Sequence, residues 1–128
     1  MSVPTLHESE VEELALPGRQ MRWLVHSTGL ESNFCSMCVI RLAPGEKVRP
    51  AHSHPQGDEV IYIMRGSGRV LVSGEVQAVR EGTAVLFPRG AVHMLQNTGA
   101  DEMKVACFFA PPTGLENYQM HEGVDFPD

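Results

Sequence analysis

Ala51-His52-Ser53-His54-Pro55-Gln56-Gly57-Asp58-Glu59-Val60-Ile61-Tyr62-Ile63 is the stretch on which the reading of this chain turns. His52 and His54 are two residues apart, so on an extended segment both imidazoles point to the same side. Pro55-Gln56-Gly57-Asp58 is a four-residue turn signal. A hairpin closed there sets Glu59 across the ladder from His54, where opposed Cβ atoms lie about 4.5–5.5 Å apart. Two imidazoles and a carboxylate on one face are most of a metal site, and His93, further along the chain, is the natural fourth ligand.

Turn signals punctuate the chain on both sides of this stretch: Pro44-Gly45, Gly66-Ser67-Gly68, Ser73-Gly74, Glu81-Gly82, Pro88-Arg89-Gly90 and Thr98-Gly99. Between them run short segments rich in Val, Ile, Leu and Phe, predicting strands over Met21–Thr28, Phe34–Leu42, Glu59–Arg65, Arg69–Val72, Val76–Arg80, Ala84–Phe87, Ala91–Gln96 and Met103–Phe109. Short strands at this spacing predict an all-β antiparallel barrel or sandwich, with its core over about residues 20–110 of one domain spanning 1–128. A helix is possible only over Leu6–Leu16, ended by Pro17-Gly18. The polar, turn-rich tail Pro111–Asp128 is expected to wrap the outside of the barrel or one of its openings.

Two segments resemble the paired motifs of the cupin superfamily. Gly45-(six residues)-His52-Ser53-His54-(four residues)-Glu59-(six residues)-Gly66 is similar to the first motif, with the Gly45 spacing one residue longer than is commonest. Gly82-(five residues)-Pro88-Arg89-Gly90-(two residues)-His93-(three residues)-Asn97 is similar to the second, without departure. The resemblance implies a small conical barrel, or double-stranded jelly roll. It also implies one divalent metal held inside by His52, His54, Glu59 and His93, with positions left for water or substrate. A donor set of three nitrogens and one oxygen suits Fe, Mn, Ni, Cu or Zn and is too nitrogen-rich for Ca or Mg. Alternation along the strands places Ile61 and Ile63 on the face of Glu59 and Leu95 on that of His93, as apolar walls of a substrate cavity, with Tyr62 on the opposite face.

Other features are read structurally. Cys35 and Cys38 form a CxxC, but on a strand residues three apart diverge, so they are expected as core cysteines with Cys107. Asn97 is expected to bond backbone at a strand end, and His7, His26 and His121 to be surface residues. A formal charge of −6, with ten scattered Lys and Arg, speaks against nucleic acid as a partner, and no apolar run is long enough for a membrane span. Met1–Glu13 has four glutamates and no basic stretch, unlike a secretory signal, so a cytoplasmic location is the expectation.

Function follows from the site rather than from the fold. The reading is a metal-binding protein acting on a small-molecule ligand or substrate, as a small metalloenzyme with oxygenase-like chemistry. A redox-neutral lyase, decarboxylase or isomerase and a non-catalytic binding or sensing domain are the alternatives. Phe34–Leu42 and Met103–Phe109 are apolar on both faces, while a barrel interior covers only one, which predicts a homodimer.

Overall fold

The structure is a computed structural model that describes residues 2–128. Eleven strands run in chain order: β1 Leu14–Leu16, β2 Arg19–Val25, β3 Ser36–Leu42, β4 Ala51–Ser53, β5 Asp58–Arg65, β6 Ser67–Val72, β7 Glu75–Arg80, β8 Ala84–Phe87, β9 His93–Asn97, β10 Met103–Ala110 and β11 Gln119–His121. A six-stranded sheet has the order β1-β2-β3-β10-β5-β8, and a five-stranded sheet the order β11-β4-β9-β6-β7. Every pairing between these strands is antiparallel, so the fold is a two-sheet jelly roll. No helix among the described residues is long and apolar enough to cross a membrane.

Period-2 alternation decides which residues make the core. On β5, Glu59, Ile61 and Ile63 are buried while Asp58, Val60, Tyr62 and Met64 are exposed. On β10 the inward set is Met103, Val105, Cys107 and Phe109, which packs with Ile40 and Leu42 of β3 and Met21 and Trp23 of β2. Tyr62 thus lies on the outer face, as its place in the alternation requires.

That outer face is apolar. Register places Phe108 beside both Met37 and Val60, Val60 beside Leu86, and Ala106 between Val39 and Tyr62. Val60, Tyr62, Met64, Leu86 and Phe108 are all exposed. The N-terminal stretch is tied to the same sheet through Glu8 to Lys104 at 2.9 Å and Glu13 to Arg41. Those five side chains stay exposed all the same.

The elements expected from the sequence differ at several places; the strand expected over Met21–Thr28, for one, is β2, Arg19–Val25. Leu6–Leu16 is not a helix: Glu8–Glu10 makes one 3-10 turn and Leu14–Leu16 is β1. The Pro17-Gly18 turn that would end a helix instead closes a hairpin, with Leu16 opposite Arg19. Phe34 and Cys35 precede β3, leaving Phe34 81% exposed and Cys35 half-buried, so only Cys38 and Cys107 are core cysteines. His121 belongs to a strand and is half-buried, with its Nε2 3.0 Å from Ser53 Oγ, and His26 is half-buried, stacked on Trp23.

Asn97 fastens the end of β9. Its fully buried amide nitrogen donates to Leu42 O at 3.0 Å and Asp101 O at 2.8 Å, and its oxygen accepts from Gly99 N–H at 2.9 Å. Asn97→Ala removes one buried and two part-buried hydrogen bonds and is expected to lower unfolding stability by about 1–3 kcal/mol in chemical denaturation; a loss under about 0.5 kcal/mol would show that water replaces the amide.

Candidate metal centre

His52 and His93 are Cα partners on β4 and β9, so their rings face one another within the five-stranded sheet. Glu59 comes from the other sheet, where it sits opposite Phe87 and Phe109. The expected hairpin does not exist: β4 pairs with β9 and β11, β5 with β10 and β8. The Pro55–Asp58 turn crosses between sheets, because His54 O accepts from Gly90 N–H at 3.0 Å and Asp58 Oδ1 from Arg89 N–H at 2.8 Å. His54 and Glu59 therefore meet across the interior rather than across a ladder.

One ligand-type atom from each of His52, His54, Glu59 and His93 lies within 4.8 Å of the others, and all four residues are buried. Backbone carbonyls can only accept, so His52 Nδ1–H donates to Pro50 O at 3.2 Å and His93 Nδ1–H to Ala91 O at 3.0 Å. Both bonds leave the Nε2 lone pair turned inward, the arrangement that orients metal-ligating imidazoles. His54 Nε2 is 2.8 Å from Glu59 Oε1. His93 Nε2 lies 3.1 Å from the same oxygen but makes no hydrogen bond, and His54 Nδ1 also lacks a partner among the described residues.

The donor set fits a divalent transition metal. A buried polar atom without a partner costs about 1–3 kcal/mol, and a cation among these nitrogens would relieve His93 Nε2 directly. Burial and the neighbouring His93 push His52 down to about 3, so the ring stays neutral and free to ligate. Burial alone would raise Glu59, but the neighbouring imidazoles, above all His54 at 2.8 Å, outweigh it and hold the carboxyl at about 2.

His52, Glu59 and His93 open on a small cavity of about 30 Å³. Ile61 and Leu95 line it as the alternation requires, together with Phe87 and Phe109. Ile63, expected on the same wall, does not line it; it is fully buried in the core further along β5.

Three contributors have no signal in the motifs. Tyr118 arrives from the tail, stacked on His52 with ring centroids 4.8 Å apart and edge-on to His54 at 4.4 Å. Burial pushes its phenol well up, so it stays protonated. Arg19, at the start of β2, lines the cavity at 6% exposure. Cys107 faces Cys38 across the β3–β10 ladder, and that contact together with burial pushes its thiol up.

Residues 38–109 match the family model for the cupin domain. The chain is 30% identical over 96 residues to the protein SchB of Streptomyces halstedii, covering 73% of this chain and 67% of that one. It is 31% identical over 86 residues to a germin-like protein, subfamily 2 member 2, of Arabidopsis thaliana, covering 63% of this chain but only 39% of the relative. Among solved structures it is similar to the polyketide cyclase RemF of Streptomyces resistomycificus, with a TM-score of 0.72 at 19% identity, over 93% of this chain and 85% of that one. At that identity the likeness concerns the fold.

Purified protein is expected to carry close to one equivalent of transition metal by elemental analysis, and His54→Ala or His93→Ala to lose most of it while keeping the far-UV spectrum of a β protein. Wild type that stays metal-free after incubation with iron, manganese, nickel and zinc would contradict the site.

The metal-free protein has its own pH signature. His52 is depressed from 6.5 to about 3 and Glu59 from 4.5 to about 2, so in both cases the unfolded chain takes up the proton first. Stability is thus fullest above pH 6.5 and falls towards pH 3, with His52 acting first and Glu59 joining below 4.5. Each group contributes a slope of at most about 1.4 kcal/mol per pH unit. Thermal melts between pH 7 and 4.5 should show a shallower fall for His52→Gln than for wild type; equal slopes would mean that His52 is not held neutral by the fold.

Proposed function

Since this chain belongs to the cupin domain family, we propose that it is a small metalloenzyme holding one divalent transition metal through His52, His54, Glu59 and His93, with oxygenase-like chemistry on a small organic substrate. The observation that carries the reading is the convergence of three imidazoles and one carboxylate beside a mostly apolar cavity. A divalent metal there supplies a Lewis acid and, when it is iron or manganese, a redox centre.

The protein's own groups have definite parts in this reading. Carbonyls of Pro50 and Ala91 orient His52 and His93, and Glu59 supplies the negative charge that retains a dication. Phe87, stacked on His93 at 3.9 Å, and Phe109 keep bulk water out. Besides the ligands, the groups lining the cavity that could exchange a proton are Cys38, Cys107 and Tyr118. Cys107 and Tyr118 are pushed towards their protonated forms and are poor bases. That favours chemistry needing no protein base over an isomerase or lyase, which needs a positioned proton acceptor.

A redox-neutral reaction is the runner-up. It is favoured by Tyr118, whose neutral phenol against His52 is a proton donor, and by the fold shared with a polyketide cyclase. A cavity of about 30 Å³ argues for substrates much smaller than a polyketide.

We also propose a homodimer through the outer face of the six-stranded sheet, supported by the contiguous exposure of Val60, Tyr62, Leu86 and Phe108. Light scattering is expected to give about twice the 14.1 kDa chain mass, and Phe108→Glu a monomer that keeps its metal; a wild-type monomer at micromolar concentration sinks it.

For the reaction, the metal-free protein is loaded separately with iron and zinc, and small carbonyl and carboxylate compounds are screened with an oxygen electrode. Oxygen uptake with iron alone is expected. Equal turnover under nitrogen with zinc would transfer the assignment to the redox-neutral reading, and no turnover with any metal to a binding role.

A further inference from the structure

Arg19 is an unusual lining for a cavity this small. It is buried at 6% exposure, and the hydrogen bonds of its guanidinium run from Nη1 alone, to Pro17 O at 3.1 Å and Arg49 O at 3.3 Å. Nε is buried with no partner among the described residues. Arginine stays charged in proteins, so this is a buried cation with part of its donor fork unused.

The fork is held in place by the backbone around it. Gly18, at φ +84°, lies so close to Lys47 O that a Cβ could not fit. Pro17 O also accepts from Arg49 N–H at 3.2 Å, which ties the β1–β2 turn to the segment leading into β4. The guanidinium is therefore clamped between two strand connections, and Arg19 lines the same cavity as His52, Glu59, His93 and Tyr118.

Charge matching points the same way. Arg19 and Glu59 are the only residues lining the cavity with an Arg, Lys, Asp or Glu charge, and they make no ion pair with each other among the described residues. With a divalent metal among the ligands the cavity carries two positive charges in excess, in surroundings where an unmatched charge is costly. A neutral substrate would leave that excess and the Arg19 fork unmatched.

We propose that Arg19 is the carboxylate anchor of the substrate site, so that the protein's substrates are small carboxylates bearing a second oxygen donor, the carboxylate turned to Arg19 and the second oxygen to the face of His52, Glu59 and His93. This deepens the metalloenzyme reading and rests on it. Carboxylates pair with arginine through two parallel N–H···O bonds, and Nε with its neighbouring Nη offers that geometry. Arg19 is in this role a binding and specificity residue.

The test uses zinc-loaded full-length protein, calorimetry, and two probes of the same shape: pyruvate and its neutral amide, pyruvamide. Zinc content is measured first. Wild type is expected to bind pyruvate at least about tenfold more tightly than pyruvamide, the range of a charge-assisted pair. Arg19→Gln should bring pyruvate down to the affinity of the amide, leave the amide within about threefold, and keep one zinc; Arg19→Lys should fall between. Equal affinity of wild type for the two probes, or binding of neither, overturns the proposal while the metal reading stands. Equal weakening of both probes in a folded, zinc-replete Arg19→Gln would make Arg19 a structural clamp only, and also overturns it. Should Arg19→Gln fail to fold, the wild-type probe ratio and Arg19→Lys still decide. Wild type that takes up no zinc removes the metal reading, and this proposal with it.

Discussion

A carboxylate with 5% exposure at the centre of a β-sandwich is the constraint that the rest of the site answers. Glu59 on β5 cannot stay ionised in that interior without matched partners. Its partners come from the opposite sheet, where β4 and β9 bring His52, His54 and His93 against it. The two-sheet architecture is what makes this possible: one sheet delivers the acid, the other the imidazoles. His54 meets the acid directly at 2.8 Å, while the carbonyls of Pro50 and Ala91 turn the Nε2 lone pairs of the other two rings toward it, an arrangement that a dication between them would match; the aromatic rings of Phe87 and Phe109 line the space around them.

What could be read from the sequence follows from this division. Strand alternation is local, so β2, β3, β5 to β8, β9 and β10 were legible to within a few residues, and so was the inward set Glu59, Ile61 and Ile63. The proximity of His54 and Glu59 was also legible, but through the wrong geometry. Spacing suits a hairpin as well as a sheet-to-sheet crossing, because both turn the chain back. Only the bonds from Gly90 and Arg89 to His54 and Asp58 distinguish them, and those residues lie over thirty positions away. The alternation likewise gave the face of Ile63 but not its depth along the strand.

The N-terminal stretch shows the same limit from another side. Leu6–Leu16 has residues compatible with a helix, yet the free edge of β2 captures Leu14–Leu16 as β1, and Pro17-Gly18 becomes a hairpin turn. Tertiary pairing overrides a weak local preference over so short a segment. The consequence reaches the site, because that turn is what sets Arg19 at the start of β2 and clamps it to the segment before β4.

Arg19 and Tyr118 lie near opposite ends of the chain and outside both motif-like segments, yet they form the part of the cavity that distinguishes it chemically. The ligands carry a signal because a metal imposes fixed residue types at fixed spacing within two short turns. A wall residue has no such spacing; it needs only a strand that passes the cavity, and several could. Tyr118 reaches His52 because β11 pairs with β4, the strand that also carries His52, so the tail docks on the metal-site strand itself. Arg19 reaches the same cavity by the hairpin on the other side. The motif-like segments thus account for the cluster of possible metal ligands, whereas the rest of the cavity wall depends on contacts made from the two ends of the chain, which only the folded arrangement brings together.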